Sequence, residues 1–176
     1  VTGGTALALR EWWAQARANP YFRLGLAAAG GVALLDQAAK HWIVHVVDLP
    51  ARRKIEISPI FDLTYVQNRG ASFGMLAGGA PSRIILSTIS IVIAAIMIGW
   101  LARLRRRWAA AGAALIIGGA LGNLHDRLRF GYVVDFLDFS GLLFPWVFNI
   151  ADAAINVGFA CLIVDALQRQ DRRAPR

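Results

Sequence analysis

Long apolar runs broken by short charged ones dominate this chain. Ile84 to Ala102 is 19 residues without a charge, and Trp108 to Leu124 adds 17 more. Leu24 to Leu35 is apolar, and beyond Asp36 and Lys40 the pattern resumes as His41-Trp42-Ile43-Val44-His45-Val46-Val47. Trp146 to Leu167 is apolar apart from Asn149, Asp152, Asn156 and Asp165. A bilayer core of about 30 Å takes about 20 helical residues to cross. The pattern therefore predicts four transmembrane helices, near 24–45, 82–102, 108–126 and 147–168. The third run reaches span length once His125 and Asp126 are included.

The segments between the spans read differently. Residues 46–81 contain Ile55-Glu56-Ile57-Ser58 and, after Pro59, Phe61-Asp62-Leu63-Thr64-Tyr65. Both alternate apolar with polar, as short strands around a turn do. A small β-element on the membrane surface is expected there, and a second outward segment at 127–146. No internal repeat or second domain is evident, so residues 1–176 read as one integral membrane domain, all-α with a small β element. Thr5 to Ala18 has the pattern of an amphipathic interfacial helix with Trp12 and Trp13 at headgroup depth. Residues 1–23 carry Arg10, Glu11, Arg17 and Arg23 and lack the apolar core of a cleaved signal peptide.

Composition agrees with a membrane location. Hydrophobic residues make up 57% of the chain and charged ones 17%, against about 25% charged in a soluble domain. A net charge of +8 would suit nucleic acid, but its distribution argues for topology. Eleven basic residues (Arg10, Arg17, Arg23, Arg103, Arg105, Arg106, Arg107, Arg169, Arg172, Arg173, Arg176) fall on one side of the predicted spans, with three acids. The other side holds eight bases and eight acids. The positive-inside rule then puts both termini, the tail 169–176 and the Arg103–Arg107 loop in the cytoplasm, with no call for nucleic acid. The single Cys161 lies in the fourth span, allows no internal disulfide, and reads as a small packing residue.

Ionisable groups inside spans are costly and mark function by default. Asp36 and Lys40, at i, i+4, can pair on one helix face. Gly118 and Gly122 form a GxxxG patch suited to close helix approach. Asn123, Asp126 and Arg127 share one face at the outer end of the third span, where interfacial anchoring or end-capping is the plain alternative. Asp135 sits in the apolar stretch Gly131-Tyr132-Val133-Val134-Asp135-Phe136, a poor place for an unpaired carboxylate. Asn149, Asp152 and Asn156 form a polar stripe at the start of the fourth span.

Asp135 is the acid best placed to meet Asp152 at the outer interface. Two carboxylates together at low dielectric cannot both ionise easily, so one keeps a proton while the other activates water. Such a pair is the machinery of aspartic peptide hydrolysis. The alternative is that each bonds separately to nearby Arg or Asn groups. Other chemistries have less support. His41 and His45 are spaced for a two-His metal face, but a third ligand and an HExxH are lacking, so neither metal nor cofactor is expected. No G-x-S-x-G nucleophile motif occurs.

Taken together, four ordered blocks resemble the bacterial lipoprotein signal peptidases (signal peptidase II). They are Asp36-Gln37-Ala38-Ala39-Lys40; Asn68-Arg69-Gly70-Ala71-Ser72-Phe73-Gly74; Gly122-Asn123-Leu124-His125-Asp126-Arg127 with Gly131 to Phe136; and Phe148-Asn149-Ile150-Ala151-Asp152. The resemblance runs from about residue 30 to 160. It implies a four-helix inner-membrane aspartyl peptidase with an extracytoplasmic β-cradle at 46–81 and the active site at the outer interface; a monomer is expected. It implies Asp135 and Asp152 as the catalytic pair, with Asp36, Lys40 and Asp126 supporting. Asn68, Gly70, Asn123, Arg127 and Asn149 would line the site or position substrate. The substrates implied are prolipoproteins carrying a diacylglyceryl group on a cysteine, met within the membrane lipid. A rival class is a small proton- or cation-coupled transporter using Asp36, Asp126, Asp135 and Asp152 as a relay; that function predicts acids staggered across the membrane.

Overall fold

The computed structural model describes residues 2–70, 80–142 and 144–171. Ala71 to Gly74 of the second sequence block, the rest of 75–79, and Arg172, Arg173 and Arg176 of the tail lie outside the described residues. The helices are α1 (Thr2–Ala18), α2 (Pro20–His45), the single turn α3 (Leu49–Arg52), α4 (Ala80–Leu101), α5 (Arg107–Phe130) and α6 (Ile150–Asp171). The strands are β1 (Lys54–Ser58), β2 (Phe61–Asn68), β3 (Val133–Asp138) and β4 (Val147–Phe148).

Three helical stretches are long and apolar enough to cross a membrane: Pro81–Leu101, Arg107–Phe130 and Ile150–Gln170. The helix α2 has the length, but the turn carrying Asp36, Gln37 and Lys40 makes it more polar. The apolar window of α5 is 72% buried inside the protein, against 22% for those of α4 and α6. The helix α5 is thus the centre of the bundle, and the other two turn most of their apolar side chains outward. Its small residues permit this. A Cβ on Gly118 would come within 2.7 Å of both the Ala29 carbonyl oxygen and the Val32 Cβ, so the GxxxG patch seats α5 directly on α2.

Helix limits differ from the expected spans for local reasons. The helix α2 starts at Pro20, whose missing N–H suits a first turn, behind Asn19. The Asn19 side chain accepts from the Tyr21 N–H at 3.1 Å. Its amide also donates to the Ala102 and Leu104 carbonyls at 3.1 and 2.8 Å. One buried amide thereby ties the start of α2 to the end of α4. The fourth helix begins three residues later than expected, because Val147 and Phe148 pair with β3 as strand β4 and Asn149 then caps α6.

The sheet is antiparallel throughout, in the order β1-β2-β3-β4. The two expected strands are β1 and β2. The stretch containing Asp135, in which no strand was expected, is β3, with Val66 opposite Asp135 and Asn68 opposite Val133. Val134 and Phe136 pack with Leu63, Leu49 and Ile43 in a core that joins the sheet to the end of α2. Alternation sends Val133 and Asp135 to the other face, which is also buried. A second core, around Phe22, Leu101, Ala109, Ala113 and Ile117, closes the opposite end of the bundle.

Candidate functional site

Two elements deliver the two carboxylates. Asp135 is fixed on β3, paired with Val66 of β2, while β4 holds the same strand two residues on at Leu137 and Asp138. Asp152 is the third residue of α6, in the first turn, where the helix dipole favours a negative group. The turn is locked by Asn149, whose Oδ1 accepts the Asp152 N–H at 2.9 Å, the usual reach of an N-cap side chain to the third helical residue.

Asparagine amides connect the pair. The Asn149 Nδ2 donates to Asp135 Oδ1 at 2.6 Å and to Asn123 Oδ1 at 3.2 Å. The Asn123 Nδ2 donates to Asp152 Oδ1 at 2.7 Å. The second oxygen of Asp135 accepts from Asn68 Nδ2 at 3.0 Å, and the Gly70 N–H donates back to Asn68 Oδ1 at 3.3 Å. Each carboxylate is therefore aimed by an amide donor, and two of those amides are bonded to each other. Asn149 and Asn123 are buried, at 0% and 5% exposure, so these bonds are made away from competing water.

Beneath them lies a charged layer centred on Lys40. Its ammonium bridges Asp36 at 2.8 Å and Asp126 at 2.9 Å, and donates to Asn123 Oδ1 at 3.3 Å. Gln37 Nε2 also donates to Asp126 Oδ1 at 2.8 Å and to the Gly122 carbonyl at 3.1 Å. Both acids also hold backbone. Asp126 Oδ2 accepts the Val134 N–H at 3.0 Å, and Asp36 Oδ1 accepts the Ala151 N–H at 2.9 Å. Each clamp grips the residue immediately before one of the paired acids, Asp135 or Asp152. Gly122 makes room for this layer, since a Cβ there would sit 2.7 Å from Asp36 Oδ2.

Nearly every residue singled out in the sequence lies in this cluster: Asp36, Lys40, Asn68, Gly70, Asn123, Asp126, Asp135, Asn149 and Asp152. Arg127 is half-buried and close enough to Asp152, Asp135 and Asp126 to feel their charge. Asn156 departs from the expected stripe; it is exposed and bonds to the Asp152 carbonyl along its own helix. His41 and His45 are exposed, with rings 4.6 Å apart. Gln37 belongs to the network but was not singled out. The signal available was an amide in an apolar run next to a charged pair. The four acids of the relay alternative all join this one network rather than spreading along the bundle.

Burial pushes the Asp135 carboxyl up to about 7, and the nearby Asp152 carboxylate adds to the effect. The Asn68 and Asn149 amides and the Lys40 ammonium pull the other way without cancelling it. Near neutrality the cluster can thus keep a proton on a carboxyl group beside a second carboxylate. That is the requirement for paired acid and base work on water.

Apolar helices around a buried layer of acids, amides and one lysine define a membrane protein with an embedded polar site. The sequence profile of signal peptidase (SPase) II matches residues 28–168, and the chain belongs to that family. It is 42% identical over 154 residues to the lipoprotein signal peptidase of Beijerinckia indica, covering 86% of this chain and 92% of that protein. It is 40% identical over 151 residues to that of Caulobacter vibrioides, covering 85% and 90%. Among solved structures, a bacterial membrane enzyme determined by the in meso method at 2.3 Å superposes with a TM-score of 0.76 at 25% identity, covering 87% of this chain and 93% of that one.

Two measurements probe this construction. Lys40→Met leaves Asp36 and Asp126 buried without their cation, and removing one partner of a buried pair costs about 3–5 kcal/mol. A matching fall in unfolding free energy in detergent is expected, and a change near zero would show the layer to be dispensable. The second concerns pH. Between its ordinary value of 3.8 and about 7, Asp135 holds a proton in the folded chain that the unfolded chain has released. Its contribution to stability is therefore full below that window and is lost as pH rises through about 7. Asp135→Asn should flatten this slope in thermal unfolding and make the variant the more stable protein above neutrality.

Proposed function

We propose that this protein is a prolipoprotein signal peptidase that cuts just before the lipid-modified cysteine of a diacylglyceryl-carrying precursor. In this reading α2, α4, α5 and α6 are four spans, and both termini and the arginine-rich turn between α4 and α5 face the cytoplasm. The sheet forms the outer cradle. The enzyme acts as a monomer in the inner membrane and approaches its substrate from the surrounding lipid. The observation that carries the proposal is the joined Asn149–Asn123 pair, which presents one carboxylate at each of its ends.

The chemistry follows from two acids sharing one proton. The ionised carboxylate takes a proton from water as the water oxygen bonds to the scissile carbonyl carbon. The protonated carboxyl donates to the carbonyl oxygen, so the tetrahedral intermediate carries no bare oxyanion. Collapse of that intermediate breaks the C–N bond as the proton on the former base passes to the leaving nitrogen and one hydroxyl returns its proton to the first acid. The products are a signal peptide ending in a new carboxylate and a lipoprotein beginning with its modified cysteine. Asn68 and Asn149 hold the orientation of Asp135, and Asn123 that of Asp152. Arg127 adds positive charge beside the site for substrate carbonyls.

Purified full-length protein should convert a diacylglyceryl-modified precursor to a product whose first residue is the modified cysteine. The unmodified precursor should be cleaved far more slowly. Equal cleavage of both forms, or a cut elsewhere in the precursor, would overturn the assignment of substrate.

A further inference from the structure

The helix α1 stands apart from what the family shares, because the family match begins at residue 28. It meets the bundle along a narrow edge. Ala16 is buried, and Trp12 packs edge-on to Phe22 with ring centroids 6.2 Å apart. Away from that edge Leu7 and Leu9 are open, 59% and 67% exposed, and Trp13, which also packs edge-on to Phe22, keeps 44% of its surface exposed.

The exposed side chains are ordered by type. Leu9 and Trp13 lie one turn apart at i, i+4 and form an apolar strip. Arg10 and Arg17 form the adjacent strip, both exposed, and the Arg17 guanidinium lies 5.5 Å from the centroid of the Trp13 ring. Glu11 is the single acid in α1.

The level of this helix is fixed by Asn19. Its bonds to the Ala102 and Leu104 carbonyls hold the corner between α1 and α2 against the end of α4, which is where an apolar stretch stops. Arg23, Arg103, Arg105 and Arg107 are exposed around the same end. Arg106 is taken by Asp165, whereas none of these other arginines has an acidic partner among the described residues. An apolar strip beside a basic one, at the depth where a span ends, complements the boundary between acyl chains and negative headgroups.

We propose that α1 and this arginine collar form a docking surface for the anionic phospholipids of the leaflet at this end of the bundle. Leu9 and Trp13 enter the acyl boundary. Arg10, Arg17 and the collar take the headgroup phosphates. The surface is separate from the carboxylate cluster, so it stands or falls independently of the peptidase assignment.

The test uses the full chain in nanodiscs of phosphatidylcholine alone or mixed with phosphatidylglycerol. Backbone hydrogen exchange in α1 should slow several-fold in the mixed discs. High salt should erase that difference, since exposed charge pairing is screened. Arg10→Gln with Arg17→Gln should erase it as well. A fluorophore on Leu9→Cys, in a Cys161→Ala background, should be quenched by lipid-borne quencher. Equal exchange in the two discs would overturn the proposal. So would protection that follows the number of copies per disc, which marks contact between chains, or a Leu9 label that lipid quenchers do not reach.

Discussion

Lys40 between Asp36 and Asp126 is the interaction on which the rest of the site depends. An ammonium buried to 4% exposure is stable only because two carboxylates meet it at hydrogen-bonding distance. Those carboxylates are in turn satisfied by backbone N–H groups on two other elements, at Val134 and Ala151. One charge on α2 thereby sets the position of a strand and the start of a helix that have no sequence proximity. The same ammonium reaches Asn123, so the charged layer and the amide layer above it are a single structure.

In the proposed function this arrangement separates holding from reacting. Asp36 and Asp126 share the charge of one lysine and spend their other bonds on backbone and Gln37. Asp135 and Asp152 are given amide donors instead, which orient a carboxylate without neutralising it. Burial then drives the Asp135 carboxyl up toward neutrality. Four acids within one small volume can thus do two jobs, because the partners of each pair differ in charge. Burial makes the distinction sharper, since an unpaired charge away from water is costly.

Much of this was legible in the chain. Apolar run lengths gave the long helices, and alternation gave β1 and β2. The i, i+4 spacing gave the Asp36–Lys40 pair, and Gly118 and Gly122 marked where α5 meets α2. Local pattern could not show that Lys40 takes a second acid 86 positions away. Nor could it show the strand around Asp135, because Val133-Val134-Asp135-Phe136 is buried on both faces and lacks clean alternation. Asn156 was misleading for a related reason: helical spacing set a stripe, but the site wraps only the first turn of α6. The ordered motifs supplied what local pattern could not, since they pointed to residues brought together by tertiary packing.

The most direct test of the paired carboxylates is cleavage of a diacylglyceryl-modified precursor by Asp135→Asn and Asp152→Asn, each checked for intact folding in detergent. Asparagine keeps the size of each side chain but cannot carry or release the proton. Loss of several orders of magnitude in kcat/KM in both variants is the expected result. Turnover near that of the parent in either one would contradict the pairing.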